Sequence, residues 1–377
     1  MEQTSNNSFK VAGILDIHPK GFGFLRQKQY FYSESPSDIY VTVDFIRRKR
    51  LKPGIYIEGE GETGKEGNNI LKSINTLNGM PFEKYLSFPP FNKLVSVSPD
   101  EILRLETPNC PLSMRIVDIL APIGKGSRSL VISPPKVGKT TFLKEIANSC
   151  AINHPEIQIF ALLIDERPEE VTDIQRSIKG EVIASSMDQS LINHVRLSRL
   201  SIEIAKRKVE EGKDVLIIMD SITRMSRAFN TIEGESGRTM SGGLDSRAME
   251  FPRYFFGSAR KIENGGSLTI VATTLVDTGS RMDELIFREF QGTGNQEIQL
   301  SRKLSDKRIF PAMDLQKSRT RKEELLLTPD ELLASTRIRR GLADLHPDIA
   351  MERLIDTMKK FKTNREFVDM LLNAKVK

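Results

Sequence analysis

Residues 133 to 140 read Ser-Pro-Pro-Lys-Val-Gly-Lys-Thr and join the apolar run Leu130-Val131-Ile132 to the helix-like stretch Thr141-Phe142-Leu143-Lys144-Glu145-Ile146-Ala147. A strand that turns through Gly-Lys-Thr into a helix aims backbone N–H groups and a helix N-terminus at one point, where a triphosphate can sit. Lys139 is then the cation for the β- and γ-phosphates, with Gly138, Thr140 and Thr141 beside it. The usual pattern has a glycine five residues before the Gly-Lys pair, whereas here Ser133 holds that place and two prolines follow. Short Gly-Lys-Thr strings also occur by chance in ordinary strand-to-helix turns. A second element argues against chance: Asp214-Val215-Leu216-Ile217-Ile218-Met219-Asp220 reads as a buried strand ending in an aspartate. Ligands of open α/β sheets sit at such C-terminal strand ends, and an aspartate there holds Mg²⁺ together with the loop hydroxyl. Thr140 and Asp220 are the expected metal pair, and ATP and Mg²⁺ the expected cofactors.

The 377 residues allow for two to three domains of about 150 residues each. A net charge of +6 is compatible with a polyanionic partner without requiring one. Cys110 and Cys150 form neither a disulfide framework nor a zinc-type spacing, which suggests a reducing cytosol. The first residues are polar, and no apolar run approaches the ~20 residues that cross a bilayer. A cytoplasmic protein without membrane contact is expected.

Six of the eighteen prolines, Pro81, Pro89, Pro90, Pro99, Pro108 and Pro111, fall between Asn78 and Leu112. Proline is excluded from helix interiors and central strands, so residues 78–112 are expected to form a linker. Its one short helix should start at Ser98-Pro99-Asp100-Glu101, a capping-box pattern. Upstream, residues 8–77 alternate short β-type runs (Val11 to Ile17, Phe22 to Leu25, Ile39 to Phe45, Ile55 to Ile57, Ile70 to Ile74) with Pro- and Gly-containing turns. That pattern predicts a small barrel of the OB type. Downstream, residues 113–377 alternate strands with amphipathic helices, the longest from about Gln189 to Glu211, and predict an α/β domain with a mostly parallel sheet.

The second strand of that domain ends in Leu163-Ile164-Asp165-Glu166-Arg167-Pro168-Glu169-Glu170. A glutamate at this edge can orient and deprotonate the water that attacks a γ-phosphate, and Glu166 is the candidate. The alternative is a solvated acidic helix start, which suits Glu169 and Glu170 better. In the barrel, Phe22, Phe24 and Arg26 alternate along one strand face, where exposed rings could stack bases and the arginine neutralise phosphate. The other possibility is that both phenylalanines point inward. Tyr40 adds an aromatic, and Arg47-Arg48-Lys49-Arg50-Leu51-Lys52 adds a basic run, shifting the balance towards nucleic acid. Glycine-bearing segments at 234–243 and 277–281 each carry an arginine, and could grip a strand or be plain connections. A further basic run spans residues 302–322 and could reach a neighbouring subunit's ATP. The histidines, His18, His154, His194 and His346, lack ligand spacing and are taken as structural or solvent-facing.

From about Gly21 onward the chain closely resembles the bacterial transcription termination factor Rho family, through GFGFLR, DIYV, PPKVGKT, LLIDERPEE, KDVLIIMDSITR, GGSLTIVAT, DTGSRMDE and RKEEL. The resemblance implies a homohexameric ring whose subunits join an OB-type single-stranded RNA site to a RecA-like motor. It implies translocation on RNA and unwinding of RNA–DNA hybrid at the expense of ATP. Release of the RNA polymerase elongation complex, with NusG-type factors as partners, is implied too. By the same resemblance Lys139, Thr140 and Lys136 are the P-loop residues, Asp220 the metal-site aspartate and Glu166 the catalytic glutamate. Arg167 is implied as a phosphate contact, Arg224 as the link between ATP and RNA sites, Arg321 as the arginine finger and Arg308 as a second interface candidate. Phe310 would pack on adenine, and Arg238 and Arg281 would contact RNA in the pore, where many relatives have lysine. Two departures stand out: few residues precede the first strand, and Asn68-Asn69-Ile70 lacks the late barrel aromatic of other members, which implies a weaker primary RNA site. The competing readings are a rotary-ATPase catalytic subunit and a passive RNA-binding protein.

Overall fold

The computed structural model describes residues 8–64, 67–233 and 243–373. Strands β1 (Ser8–Ile17), β2 (Gly23–Arg26), β3 (Ile39–Val41), β4 (Tyr56–Thr63) and β5 (Asn69–Leu77) close into a barrel in the order β1-β2-β3-β5-β4. Alternate residues turn inward, so Leu15, Leu25, Val41, Ile57 and Leu71 form its core. The strand expected over Ile39 to Phe45 is cut at Val41. Thr42 caps a helix, Val43–Lys49, its hydroxyl accepting the Phe45 N–H at 3.2 Å. Arg47, Arg48 and Lys49 therefore sit in the last turn of that helix, where its dipole favours positive charge.

The helix expected at Ser98 does not form. The Leu103 N–H donates to the Ile123 carbonyl at 2.7 Å, and the Lys125 N–H to the Glu101 carbonyl at 2.8 Å. Tertiary pairing thus takes up backbone groups that a first helical turn would need, and overrides the local capping signal. The helical turns of this region lie earlier, at Phe82–Leu86 and Phe91–Lys93.

The second sheet is built from β6 (Ser96–Val97), β7 (Arg128–Ser133), β8 (Gln158–Glu166), β9 (Glu181–Ser186), β10 (Asp214–Asp220), β11 (Arg260–Ile262), β12 (Ser267–Leu275), β13 (Gln296–Gln299) and β14 (Arg319–Thr320). Its main order is β14-β13-β7-β12-β10-β8-β9, with all pairs from β13 to β9 parallel. Both faces are buried. Leu216 and Ile218 join Phe142, Ile146 and Ile174 on one side, while Val215, Ile217 and Met219 join Leu200, Ile204 and Phe229 on the other. Continuous apolar strands are what a sheet covered on both faces demands.

The barrel rests on the helix Leu191–Glu210. Asp16 accepts from Arg196 at 2.7 Å, while buried Glu210 takes the Phe91 N–H at 2.8 Å and pairs with Lys52 at 3.3 Å and Arg207 at 3.0 Å. Gly54, at φ +81°, brings the barrel so near that a Cβ there would lie 2.4 Å from the backbone carbon of Glu203. We expect Gly54→Ala to destabilise the protein by about 2–4 kcal/mol, from left-handed strain plus overpacking. Urea unfolding measures this, and a change under about 0.5 kcal/mol would show that the junction gives way freely.

Candidate active site and nucleic-acid interface

The turn after β7 delivers Lys139 to the C-terminal end of the sheet. Gly138 precedes the helix Lys139–Asn153 at φ 92°, and the left-handed backbone rather than crowding calls for glycine there. The Lys139 ammonium bonds to Asp220 Oδ2 and reaches Glu166 Oε1 at 3.3 Å. Asp220 ends β10 fully buried, with Thr273 Oγ1 donating to its Oδ1 at 2.9 Å and Thr140 Oγ1 to its Oδ2 at 3.4 Å. A bulge between Ile164 and Glu166, with Asp165 at φ 58°, re-aims the end of β8. Glu166 is thereby buried beside Lys139, with the Arg224 Nε 3.2 Å from its Oε1, and does not take the solvated position that remained open from sequence. Its other oxygen, Oε2, is buried without a hydrogen-bond partner.

Burial, reinforced by Asp220, pushes the Glu166 carboxyl up to about 8 against the pull of Lys139 and Arg224. Burial alone would lower the Lys139 pKa, but Asp220 and Glu166 outweigh it and raise the value above that of an ordinary lysine. Among the described residues no group of three or more His, Cys, Asp or Glu could hold a metal. Thr140 and Asp220 nevertheless offer a hydroxyl and a carboxylate oxygen together, the partial hard-oxygen set that suits Mg²⁺ completed by water and phosphate oxygens.

Around this centre the other candidates separate. Lys136 is exposed on the loop at φ 64°, and Arg167 is exposed at the start of the helix Pro168–Ser177, 3.8 Å from Glu170. Thr141 and half-exposed Phe310 line a cavity of about 380 Å³ with Ser113, Val137 and Glu145, next to Gly138. Arg308 is exposed nearby in sequence, at φ 60°. Arg281 begins the helix Arg281–Phe290 and is exposed, whereas Arg238 lies outside the described residues. Arg321 is not brought to the chain's own Lys139. Thr320 pairs with Gln296, which pairs with Ser129 at the start of β7, so Arg321 stands at the opposite end of the sheet. There it lines a cavity of about 550 Å³ with Arg128, Arg260 and Lys322. Their side-chain partners are backbone carbonyls and the Ser98 hydroxyl, with no carboxylate among the described residues.

On the barrel, Gly23 and Leu25 are buried while Phe22 and Phe24 face outward, which excludes the inward reading of the two rings. Phe22 and Phe24 meet edge to face at 5.8 Å, and Tyr40 lies 5.7 Å from each. Arg26 requires a correction. Its side chain is buried and bonds to Asp16 at 3.0 Å, Asp38 at 2.6 Å and Glu34 at 3.2 Å, so it is not a free cation for phosphate. It lies over Phe24 at 4.8 Å and supports the ring from within. His18, taken from sequence as structural or solvent-facing, is exposed. The turn Pro19-Lys20-Gly21 folds back so that the His18 N–H bonds to the Phe22 carbonyl at 2.8 Å, and the two rings stack at 4.6 Å and 8°.

Comparison with known proteins bears on both regions. Residues 11–83 match the family model of the Rho termination factor RNA-binding domain, and residues 113–320 that of the ATP synthase alpha/beta family nucleotide-binding domain. A transcription termination factor Rho from Haemophilus influenzae is 49% identical over 96% of this chain and 87% of its own length. The Cereibacter sphaeroides protein of that name is 48% identical over 98% of this chain and 90% of its own. The Streptomyces lividans one is 50% identical over 95% of this chain, which spans only 51% of it. Among solved structures, a type III secretion ATPase superposes with a TM-score of 0.61 at 21% identity, covering 80% of this chain and 90% of its own. That last likeness shows the fold alone. No helix of the described residues is long and apolar enough to cross a membrane.

Burial raises the Glu166 pKa to about 8 in the nucleotide-free fold, above the ordinary carboxyl value of about 4.5 that holds when the chain is unfolded, so the fold binds the extra proton between those values. Its contribution to stability is complete below that window and is lost as pH rises through it. We expect Glu166→Gln to flatten this slope in urea unfolding at low and high pH. A difference between wild type and variant that does not change with pH would contradict the assignment.

Proposed function

The chain belongs to the transcription termination factor Rho family, and from that premise we propose that it is an RNA-dependent ATPase and helicase that moves along single-stranded RNA and terminates transcription by dissociating the RNA polymerase elongation complex. The observation that carries this reading is the presence in one chain of Lys139 set against the buried Glu166 and Asp220 and of a barrel whose Phe22, Phe24 and Tyr40 rings face outward. Motor and strand platform are covalently one molecule.

The nucleotide's phosphates lie over Gly138 and the following helix N-terminus, where the dipole favours negative charge. Lys136, Lys139 and Arg167 neutralise them, and the base enters the cavity between Thr141 and Phe310. Thr140 and Asp220 would hold Mg²⁺, which would offset the negative charge of the phosphates. To meet the phosphates, Lys139 gives up its bond to Asp220, which frees that carboxylate for its second task. Glu166, in its carboxylate form, orients the attacking water and takes its proton. Arg224, which bonds to the Asp165 carbonyl and lies beside Glu166, passes strand-dependent movement to the catalytic carboxylate.

Arg321 faces away from its own chain's nucleotide and serves that of a neighbour, with Arg308 as a second interface group, which requires a ring of subunits. The homohexamer, the pore contacts of Arg238 and Arg281, and NusG-type partners complete the reading. Its rival, a rotary-ATPase catalytic subunit, draws on the shared motor fold and has no use for an outward aromatic barrel.

ATP hydrolysis with and without poly(C) separates the readings: stimulation by RNA is expected, and a rate indifferent to RNA would reject the proposal. Arg321→Ala should lower turnover by roughly 10³- to 10⁵-fold, as loss of a finger supplied in trans does, while nucleotide still binds. Near-normal turnover would remove Arg321 from that role.

A further inference from the structure

His18 lies in the turn between β1 and β2 and is exposed. Its imidazole covers one face of Phe22, the planes 8° apart and the centroids 4.6 Å apart. A base approaching Phe22 from that side meets the imidazole before the phenyl ring. The remaining contacts of Phe22 run the other way, edge-on to Phe24 and tilted onto Tyr40, so His18 forms the outer end of one continuous aromatic surface.

The ring is also held in place. The Lys20 backbone N–H donates to His18 Nδ1 at 3.2 Å, which makes Nδ1 the acceptor and leaves the proton of the neutral ring on Nε2. An oriented, flat, exposed ring loses little freedom when a base stacks on it, and every nucleobase offers a π-face. Its Nε2–H is a donor for a base or phosphate oxygen, and exposed Lys20 in the same turn supplies a positive charge beside it.

We propose that His18 is an additional base-stacking subsite, holding a nucleobase of single-stranded RNA on the outer side of the Phe22, Phe24 and Tyr40 platform. The inference rests on the reading of the barrel as an RNA surface. A ring that only shields Phe22 from water has the opposite consequence, since its removal would open a better stacking face.

The test is a filter-binding titration of the full chain with a short oligocytidylate, comparing wild type, His18→Ala, His18→Phe and Phe22→Ala. His18→Ala should weaken binding roughly 5- to 150-fold, the range for losing one stacked base, and His18→Phe should stay close to wild type because it keeps a flat ring. Unchanged or tighter binding by His18→Ala overturns the subsite, as does equal weakening in His18→Ala and His18→Phe. If Phe22→Ala also binds normally, the fault lies with the RNA surface itself; if only Phe22→Ala weakens binding, the surface stands and the His18 subsite falls.

Discussion

A lysine ammonium held between two buried carboxylates organises the motor half of this molecule. Lys139 at the start of one helix meets Asp220 and Glu166 from the ends of two adjacent parallel strands, and each carboxylate would be costly to bury alone. Lys139 relieves their mutual repulsion, and burial together with the Asp220 charge raises the Glu166 pKa. The cluster is therefore poised: a polyphosphate that draws Lys139 away removes the cation that both carboxylates share. Thr273 and Arg224 keep the acidic groups in position while the lysine moves.

The barrel is tied to this centre by contiguous contacts. Asp16 on β1 bonds to Arg196 on the long helix Leu191–Glu210, and two residues earlier on that helix His194 lies 3.9 Å from Asp165, the neighbour of Glu166. Glu210, at the far end of that helix, pairs with Lys52 and takes the Phe91 N–H. The barrel thus sits on an element that also approaches the Glu166 end of β8. The connection consists of packed helix and ion pairs.

Much of this was legible because it depends on local chemistry. Strand-to-helix Gly-Lys-Thr, the apolar strand ending in Asp220, and the alternation of strands with helices each carry their own reason in neighbouring residues. The failures share a cause. The capping pattern at Ser98 was real, but residues 123–125 paired with that backbone instead. Arg26 had the right strand face for RNA, yet Asp16, Asp38 and Glu34 converged on it from segments whose proximity no local pattern announces.

By itself the sequence determined the two architectures, the identity of the phosphate-binding loop and the aromatic character of the barrel face, since these follow from periodicity and short-range spacing. Only the tertiary structure decided which carboxylates enclose Lys139, what raises the Glu166 pKa, that Arg26 is spent internally and that Arg321 stands at the far end of the sheet from the chain's own Gly-Lys-Thr loop. Charge state and reach depend on burial and on distances between residues remote in sequence. Those are fixed when sheet, helices and barrel pack.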